Sequence, residues 1–480
     1  MSLHDKLYLV ITIFTFGFYL LGWLSALHTI MTARTSQGAI AWAISLSTFP
    51  FIALPLYWIF GRTRFNGYVD ALRTRDQHTN PLIKETLNKL PDALPDTLDR
   101  TPDELVFERL AALPYTHLNQ LDLLTSGADT FAAIFAAMRE AKSYILIQFY
   151  IFRDDEIGRA LLGEIRAARQ RNIRVYLLYD EIGCARLPGS YTQAVRETGA
   201  DISGFRTTRG LRNRFQLNFR NHRKSVIVDG RVAFVGGYNV GDEYLGRSKK
   251  FGPWRDTHCQ ILGPAVLAVQ LAFVSDWNWA NGDFPPGLDW TPRPAPERDE
   301  KVLVVPSGPA DEFETWKLLM LQCIRQADKR FWLVSPYFVP DSDIISALQL
   351  AALRGVEIRI MLPEKPDHLM VWLASFTFLA QINLPNLTFY RYTPGFLHQK
   401  VLLVDRELAV VGTANADNRS FRLNFEMSIV SQSPHFVREI EDMLEEDFRH
   451  CRISTAEEYA RRAFPFRFAA QVSRLMAPIL

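Results

Sequence analysis

The apolar and polar positions change rhythm three times along the chain. Near the amino end two runs carry no charge, "LYLVITIFTFGFYLLGWLSAL" from Leu7 to Leu27 and "AIAWAISLSTFPFIALPLYWIF" from Ala39 to Phe60. Each is about 20 residues, enough to cross a hydrocarbon core of about 30 Å. Pro50 and Pro55 fit a kinked membrane helix. Trp23, Tyr57 and Trp58 stand near span ends and Trp42 near a span start, as interfacial aromatics do. Lys6 ahead of the first run also suits a secretory signal, but a second run only about ten residues later favours a hairpin of two transmembrane helices, 7–27 and 39–60. Arg34 alone lies between them, whereas Arg62, Arg64, Arg73 and Arg75 follow. That asymmetry places both termini and the large remainder on the cytoplasmic side of a membrane, with the chain multi-pass.

From about residue 62 to 120 the pattern turns polar and proline-punctuated, which predicts a connecting region with little core. Beyond it the same order of elements occurs twice. Helical apolar spacing leads into a strand-like run in "FAAIFAAMREAKSYILIQFYIF" and again in "TWKLLMLQCIRQADKRFWLVSPYFV". An acidic turn and a helix follow in each, "DDEIGRALLGEIRAARQ" and "DSDIISALQLAALRG", then a second apolar strand, "IRVYLLYD" and "VEIRIMLP". The alternation predicts α/β architecture with buried strands, duplicated as a lobe at 121–282 and another at 301–455. The proline-rich stretch 283–300 reads as the linker. A basic and apolar tail, 456–480, is open to two readings, an interfacial segment or one packed on the core.

Chemistry enters with a pattern written once in each lobe. His222, Lys224, Asp229, Gly236 and Asn239 obey H-x-K-x4-D-x6-G-x2-N, and so do His398, Lys400, Asp405, Gly412 and Asn415, 176 positions later (398 minus 222). On a strand, residues two apart share a face, so each histidine should project with its lysine while the aspartate braces the turn beyond. Two lysines and two asparagine amides converging on one point would hold a phosphodiester. Two histidines would divide the labour between a nucleophile and an acid/base. One copy alone is a weak signal; the full spacing at matching places in both lobes is a strong one.

Composition alters this little. A formal net charge of +2 over 480 residues names no partner, and the four scattered cysteines, Cys184, Cys259, Cys323 and Cys451, show no metal-ligand spacing. The two lysines would supply the positive charge of the site and exchange of one phosphodiester for another is near thermoneutral, so no metal and no cofactor are expected. The stretch "FRTTRGLRNRFQLNFRNHRK" mixes Arg206, Arg209, Arg212, Arg214, Arg220 and Arg223 with Phe205, Phe215 and Phe219. It suits anionic lipid head groups or a nucleic-acid backbone. The membrane hairpin favours lipid, so nucleic acid is not an expected partner.

The two motifs resemble the H-x-K-x4-D signature of the phospholipase D superfamily. "NFRNHRKSVIVDGRVAFVGGYNVGDEYLG", "PWRDTHCQILGPAV" and "GTANADNRSFRLNFEMSIV", with the double-span amino end, are similar to bacterial cardiolipin synthases of the phospholipase D type. The resemblance implies two phospholipase D-like lobes, a duplicated α/β sandwich sharing one active site. It also implies a phosphohistidine intermediate, phosphatidylglycerol as substrate, and the bacterial cytoplasmic membrane as location. It further implies an acidic residue orienting each histidine, for which Asp256 and Glu426 are the candidates by position. In the wider superfamily the first-motif histidine is often the attacker, which would be His222. The expected reaction transfers a phosphatidyl group between two phosphatidylglycerol molecules. The alternatives are a membrane-bound phospholipase D-type hydrolase and a non-catalytic lipid-binding scaffold. Oligomeric state, donor range and acyl preference have no signal in the sequence.

Overall fold

A computed structural model describes residues 3–33, 35–61, 68, 100–206 and 218–477. They fall into two units, Met1–Tyr68 with Thr207–Phe219, and the rest of the chain. Arg34, Arg62, Arg64, Arg73, Arg75, Arg209, Arg212, Arg214 and Phe215, which carried the topology and basic-patch readings, lie outside the described residues.

In the first unit the first apolar run is one helix, Leu3–Thr32, long enough to cross a membrane. The second run is two helices, Ser36–Thr48 and Pro50–Phe60, where a single span over 39–60 was expected. The break is Phe49, at φ −130° and ψ 58°. A residue before proline is pushed out of the α region by the ring, and here that preference ends the helix. Both short helices pack on the long one through Ala26, Leu46, Ala53, Leu54 and Tyr57. At Gly22 a Cβ would come within 2.4 Å of the Leu46 carbonyl oxygen, so a larger residue would push these helices apart.

Among the described residues the second unit is built on a 16-stranded sheet, fifteen strands in two halves of the same order and a sixteenth, Arg220–Asn221, beside Asn424–Ser431. From the centre outwards the first half runs Thr116–Leu124, His258–Leu262, Val232–Gly236, Ser225–Val228, Tyr144–Phe149, Arg174–Asp180 and Asp201–Phe205. The second runs Glu300–Ser307, Asn424–Ser431, Leu408–Gly412, Val401–Val404, Arg330–Val334, Glu357–Pro363 and Leu387–Tyr392, with Cys451–Ser454 at its edge. Thr116–Leu124 pairs antiparallel with Glu300–Ser307 and joins the halves. Strands such as Tyr144–Phe149 are buried at every residue, which is why they read as unbroken apolar runs.

Helices cover the sheet, and their caps are legible. The Asp155 side chain accepts from the Gly158 N–H at the start of Glu156–Gln170, and Asp341 does the same for Ser342–Leu353. On the former, Ile157, Leu161, Ile165 and Ala168 form one buried stripe. Each half has its own apolar core, one around Ile134, Ile147 and Leu177, the other around Leu319, Leu333 and Ile360. The stretch expected to be a connector contributes to the second: Pro102–Ala111 inserts Phe107 and Ala111, and Tyr115 follows them. The carboxyl-terminal helix Phe464–Leu475 packs on Leu369–Gln381 through Phe466, whose ring meets those of Trp372 and Phe376. Its opposite face leaves Phe464, Phe468, Val472 and Leu475 exposed.

The two motif aspartates brace the fold. Asp229 and Asp405 adopt left-handed φ values of 54° and 51°, rare for a residue with a Cβ. Each turns the strand carrying its motif into the next one. The Asp229 carboxylate accepts the N–H groups of Lys142, Ser143 and Tyr144, and Asp405 those of Asp328, Lys329 and Arg330. Four residues of strand lie between each aspartate and its motif lysine, a Cα separation of about 16 Å when extended. Asp405→Ala leaves three N–H groups without their acceptor and should cost on the order of 2–4 kcal/mol, a fall of several degrees in Tm by scanning calorimetry in detergent. Asp405→Asn should lose less, because asparagine tolerates the left-handed turn; equal losses would refute this role.

Candidate active site

A cleft of about 810 Å³ opens where the two halves meet, and both histidines and both asparagines of the repeated pattern line it. His222 and Lys224 are not strand residues, nor are His398 and Lys400, although the spacing predicted a shared strand face. They occupy the short gaps between Arg220–Asn221 and Ser225–Val228, and between Phe396–Leu397 and Val401–Val404. The reason is a change of pairing partner. Arg220–Asn221 runs parallel to Asn424–Phe425, and the His222 N–H donates to the Phe425 carbonyl at 2.9 Å. Phe396–Leu397 runs parallel to Trp254–Arg255, and the His398 N–H donates to the Arg255 carbonyl at 2.8 Å. Each motif therefore begins on the opposite lobe's backbone before rejoining its own sheet.

That crossover decides which acid meets which histidine. Phe425 and Arg255 immediately precede Glu426 and Asp256. His222 Nδ1 lies 2.9 Å from Glu426 Oε2, and His398 Nδ1 lies 2.6 Å from Asp256 Oδ2. Each histidine is thus oriented by a carboxylate from the other lobe. Burial would push both carboxyls up. For Asp256 the charges of Lys400 and His398 outweigh it, for Glu426 those of His222 and Lys224, and both stay below the usual carboxylate range. Burial pushes both histidines down, to about 4, against the pull of their carboxylates. At neutral pH each imidazole is neutral, donates Nδ1–H to its carboxylate, and keeps its lone pair on Nε2.

Beneath them lie the lysines. Lys224 Nζ donates to the His222 carbonyl at 2.7 Å, and Lys400 Nζ to that of His398. Burial depresses both ammonium groups, Lys400 to about 8, and the repulsion of Lys400 adds to the fall at Lys224. Asn239 Oδ1 accepts from the Ile151 N–H, and the Asn415 amide donates to Asp417.

Several residues of the site carry no recognisable spacing. Glu426 also accepts from Thr413, Ser420 and Asn424, at 2.6, 2.9 and 3.1 Å. The position equivalent to Thr413 is Gly237, where a Cβ would fall 1.9 Å from Asp256 Oδ1, so only glycine admits that carboxylate. The Tyr150 ring packs on His222 with centroids 4.8 Å apart, and Trp254 flanks His398 at 5.2 Å. Of the basic stretch before the first motif, Arg206 pairs with Glu181 and Arg223 is buried against Asp276, while Arg220 reaches the cleft. Leu369, Met370 and Val371 add an apolar wall.

Two buried lysines offset two buried carboxylates and the two imidazoles are neutral, so an anion entering between the histidines brings a charge not yet balanced. An arriving anion raises the proton affinity of every lysine and imidazole facing it. Binding of tungstate, fully ionised at pH 7.5, should therefore be accompanied by proton uptake. Calorimetry in buffers of different ionisation enthalpy would read this as a positive slope of observed heat against buffer enthalpy; a zero or negative slope would contradict the charge arrangement.

The chain matches the family described as "Cardiolipin synthase, PLD-like domain" over residues 134–249 and 320–448. It is 42% identical over 471 residues to Cardiolipin synthase A of Pseudomonas fluorescens strain SBW25, covering 96% of this chain and 97% of that protein. Cardiolipin synthase A of Pseudomonas fluorescens strain Pf-5 is 43% identical over 466 residues, with 96% and 97% covered. Among solved structures, a phosphatidylserine synthase from Haemophilus influenzae superposes with a TM-score of 0.61 at 16% identity, over 79% of this chain and 100% of that one, a likeness of fold.

Proposed function

The chain belongs to the cardiolipin synthase family of phospholipase D-like proteins, and on that premise we propose that it makes cardiolipin from two molecules of phosphatidylglycerol. The observation that carries the chemistry is the crossed pairing of His222 with Glu426 and His398 with Asp256, with both histidines lining one cleft.

The donor's phosphodiester sits between the two Nε2 atoms, above Lys224 and Lys400. One neutral imidazole attacks phosphorus, forming the N–P bond as the bond to the head-group glycerol oxygen breaks. The other imidazole, protonated as the anion binds, gives its proton to that oxygen, and glycerol leaves. The same imidazole then takes the proton from the terminal glycerol hydroxyl of a second phosphatidylglycerol. That oxygen attacks phosphorus and releases the first histidine. One phosphodiester is exchanged for another, so the step needs no nucleotide. Lysine charge beneath the phosphate stabilises the negative charge on its oxygens in the transition state. Asn239 and Asn415, at the cleft wall, fix the phosphate's orientation.

The site lies in the bacterial cytoplasmic membrane, where both substrates reside. The long apolar amino-terminal helix supports an anchor there. The arginine excess after the second apolar run supports a multi-pass topology with the catalytic part on the cytoplasmic side. The exposed apolar face of Phe464–Leu475, with Arg467 also exposed beside it, suits contact with an anionic bilayer surface.

Purified protein in detergent, given head-group-labelled phosphatidylglycerol in chelator, should yield cardiolipin and free labelled glycerol on lipid chromatography. His398→Ala should lower the rate at least about a thousandfold, with folded protein retained. Phosphatidic acid as the sole product would mean that water is the acceptor and would replace this reading with a phospholipase.

A further inference from the structure

The two lobes repeat the motif, but the cleft they enclose is not symmetric. Two residues before the motif histidine stands Arg220 in the first lobe and Phe396 in the second. Four residues after the motif asparagine stands Glu243 in the first lobe and Arg419 in the second. Because the motifs cross over, both differences act in the same direction. Arg220 is paired with Asn424 of the other lobe, and Arg419 lies on the short helix Asn418–Arg422 just before that strand. Both arginines line the cleft together with Tyr150, whose ring packs on His222, and the charge of Arg220 adds to burial in depressing the Arg419 guanidinium. At the His398 end the equivalent positions are an aromatic wall of Phe396 with Trp254, and Glu243, which forms an ion pair with Arg153 at 3.5 Å.

Two carboxylates face the arginines, Asp180 and Asp417. Asp180 accepts the N–H groups of Ile182, Gly183 and Asn221, and Asp417 accepts that of Ser420 and the Asn415 amide. Burial raises both, to about 6, yet both remain largely ionised at neutral pH and offset part of the guanidinium charge. All of these groups belong to the walls of the cleft or its first supporting layer.

Resting on the cardiolipin synthase reading, we propose that Arg220 and Arg419, one from each lobe, form a second phosphate subsite that holds the unreacting phosphodiester of the acceptor lipid. The reaction brings two phosphates into one cleft, and the lysines sit under only one of them. Guanidinium groups match a phosphate's geometry, and a pair contributed by both lobes can grip one from two directions. The acceptor hydroxyl and its phosphate are separated by a glycerol unit, which suits a cation pair beside a reacting centre. Water and free glycerol carry no second phosphate and gain nothing from the pair, so the subsite favours transfer to a lipid over hydrolysis.

The test compares two acceptors in one preparation, with full-length protein reconstituted in phosphatidylglycerol vesicles. One readout is cardiolipin formation; the other is exchange of labelled free glycerol into phosphatidylglycerol, which uses the same donor step with an uncharged acceptor. In Arg220→Gln combined with Arg419→Gln, the ratio of cardiolipin formed to glycerol exchanged should fall at least tenfold relative to the unaltered chain. Arg220→Lys with Arg419→Lys, which keeps both charges, should recover part of that ratio. An unchanged ratio overturns the proposal, whether both rates hold or both fall. So does a lysine pair that loses both reactions together, since the arginines would then serve the fold. Failure of the unaltered chain to form cardiolipin at all, with glycerol exchange intact, would instead refute the underlying reading of the reaction.

Discussion

Everything in the catalytic unit depends on a reciprocal pairing in which each lobe supplies the carboxylate that orients the other lobe's histidine. Glu426 and Asp256 are fully buried, and so are the lysines beside them. A buried charge is tolerated only when it is paired and hydrogen-bonded. If one lobe stood alone, Glu426 would lose His222 and Lys224, and His398 would lose Asp256. The duplicated fold is thus not two sites side by side. It is one site whose electrostatics close only when the sheet is continuous through Thr116–Leu124 and Glu300–Ser307.

The pairing also explains why the histidines are useful. Burial keeps them neutral, and the carboxylates hold the tautomer that leaves Nε2 bare. A fully solvated histidine would be partly protonated near neutral pH and free to rotate. The same buried surroundings make the lysines reluctant cations already offset by the two carboxylates, so the charge of an entering phosphate is balanced by a proton taken up in the cleft. Affinity for the anion and readiness of the acid are one property of the cleft.

Much of this was legible in the sequence, because it was written twice. The spacing from histidine to asparagine located both walls of the cleft, and the alternation of helix and strand located both halves of the sheet. What could not be read was which partner each short segment pairs with. A two-residue bridge such as Arg220–Asn221 with Asn424–Phe425 leaves no periodic signature, so the motif looked like ordinary strand and the crossing of the acids stayed hidden. Thr413, Ser420 and Asn424 lay within a stretch whose family likeness was plain, but their convergence on Glu426 is a tertiary fact. Phe49 was different. A residue before proline carries a known bias against helix, and the apolar composition of the run masked it. Arg419 and Arg220 have no visible relation in the sequence, because only the pairing of Arg220 with Asn424 brings the first to the end of the cleft that the second lines.

The role of the paired histidines is tested by capturing the reaction midway. Protein turning over phosphatidylglycerol labelled in its phosphate would be denatured within milliseconds at alkaline pH, where phosphohistidine survives, and the labelled peptide identified. A covalent phosphatidyl adduct on His222 or His398 should form and decay fast enough to carry cardiolipin synthesis. Synthesis at full rate with no adduct, or an adduct on any other residue, would contradict that role.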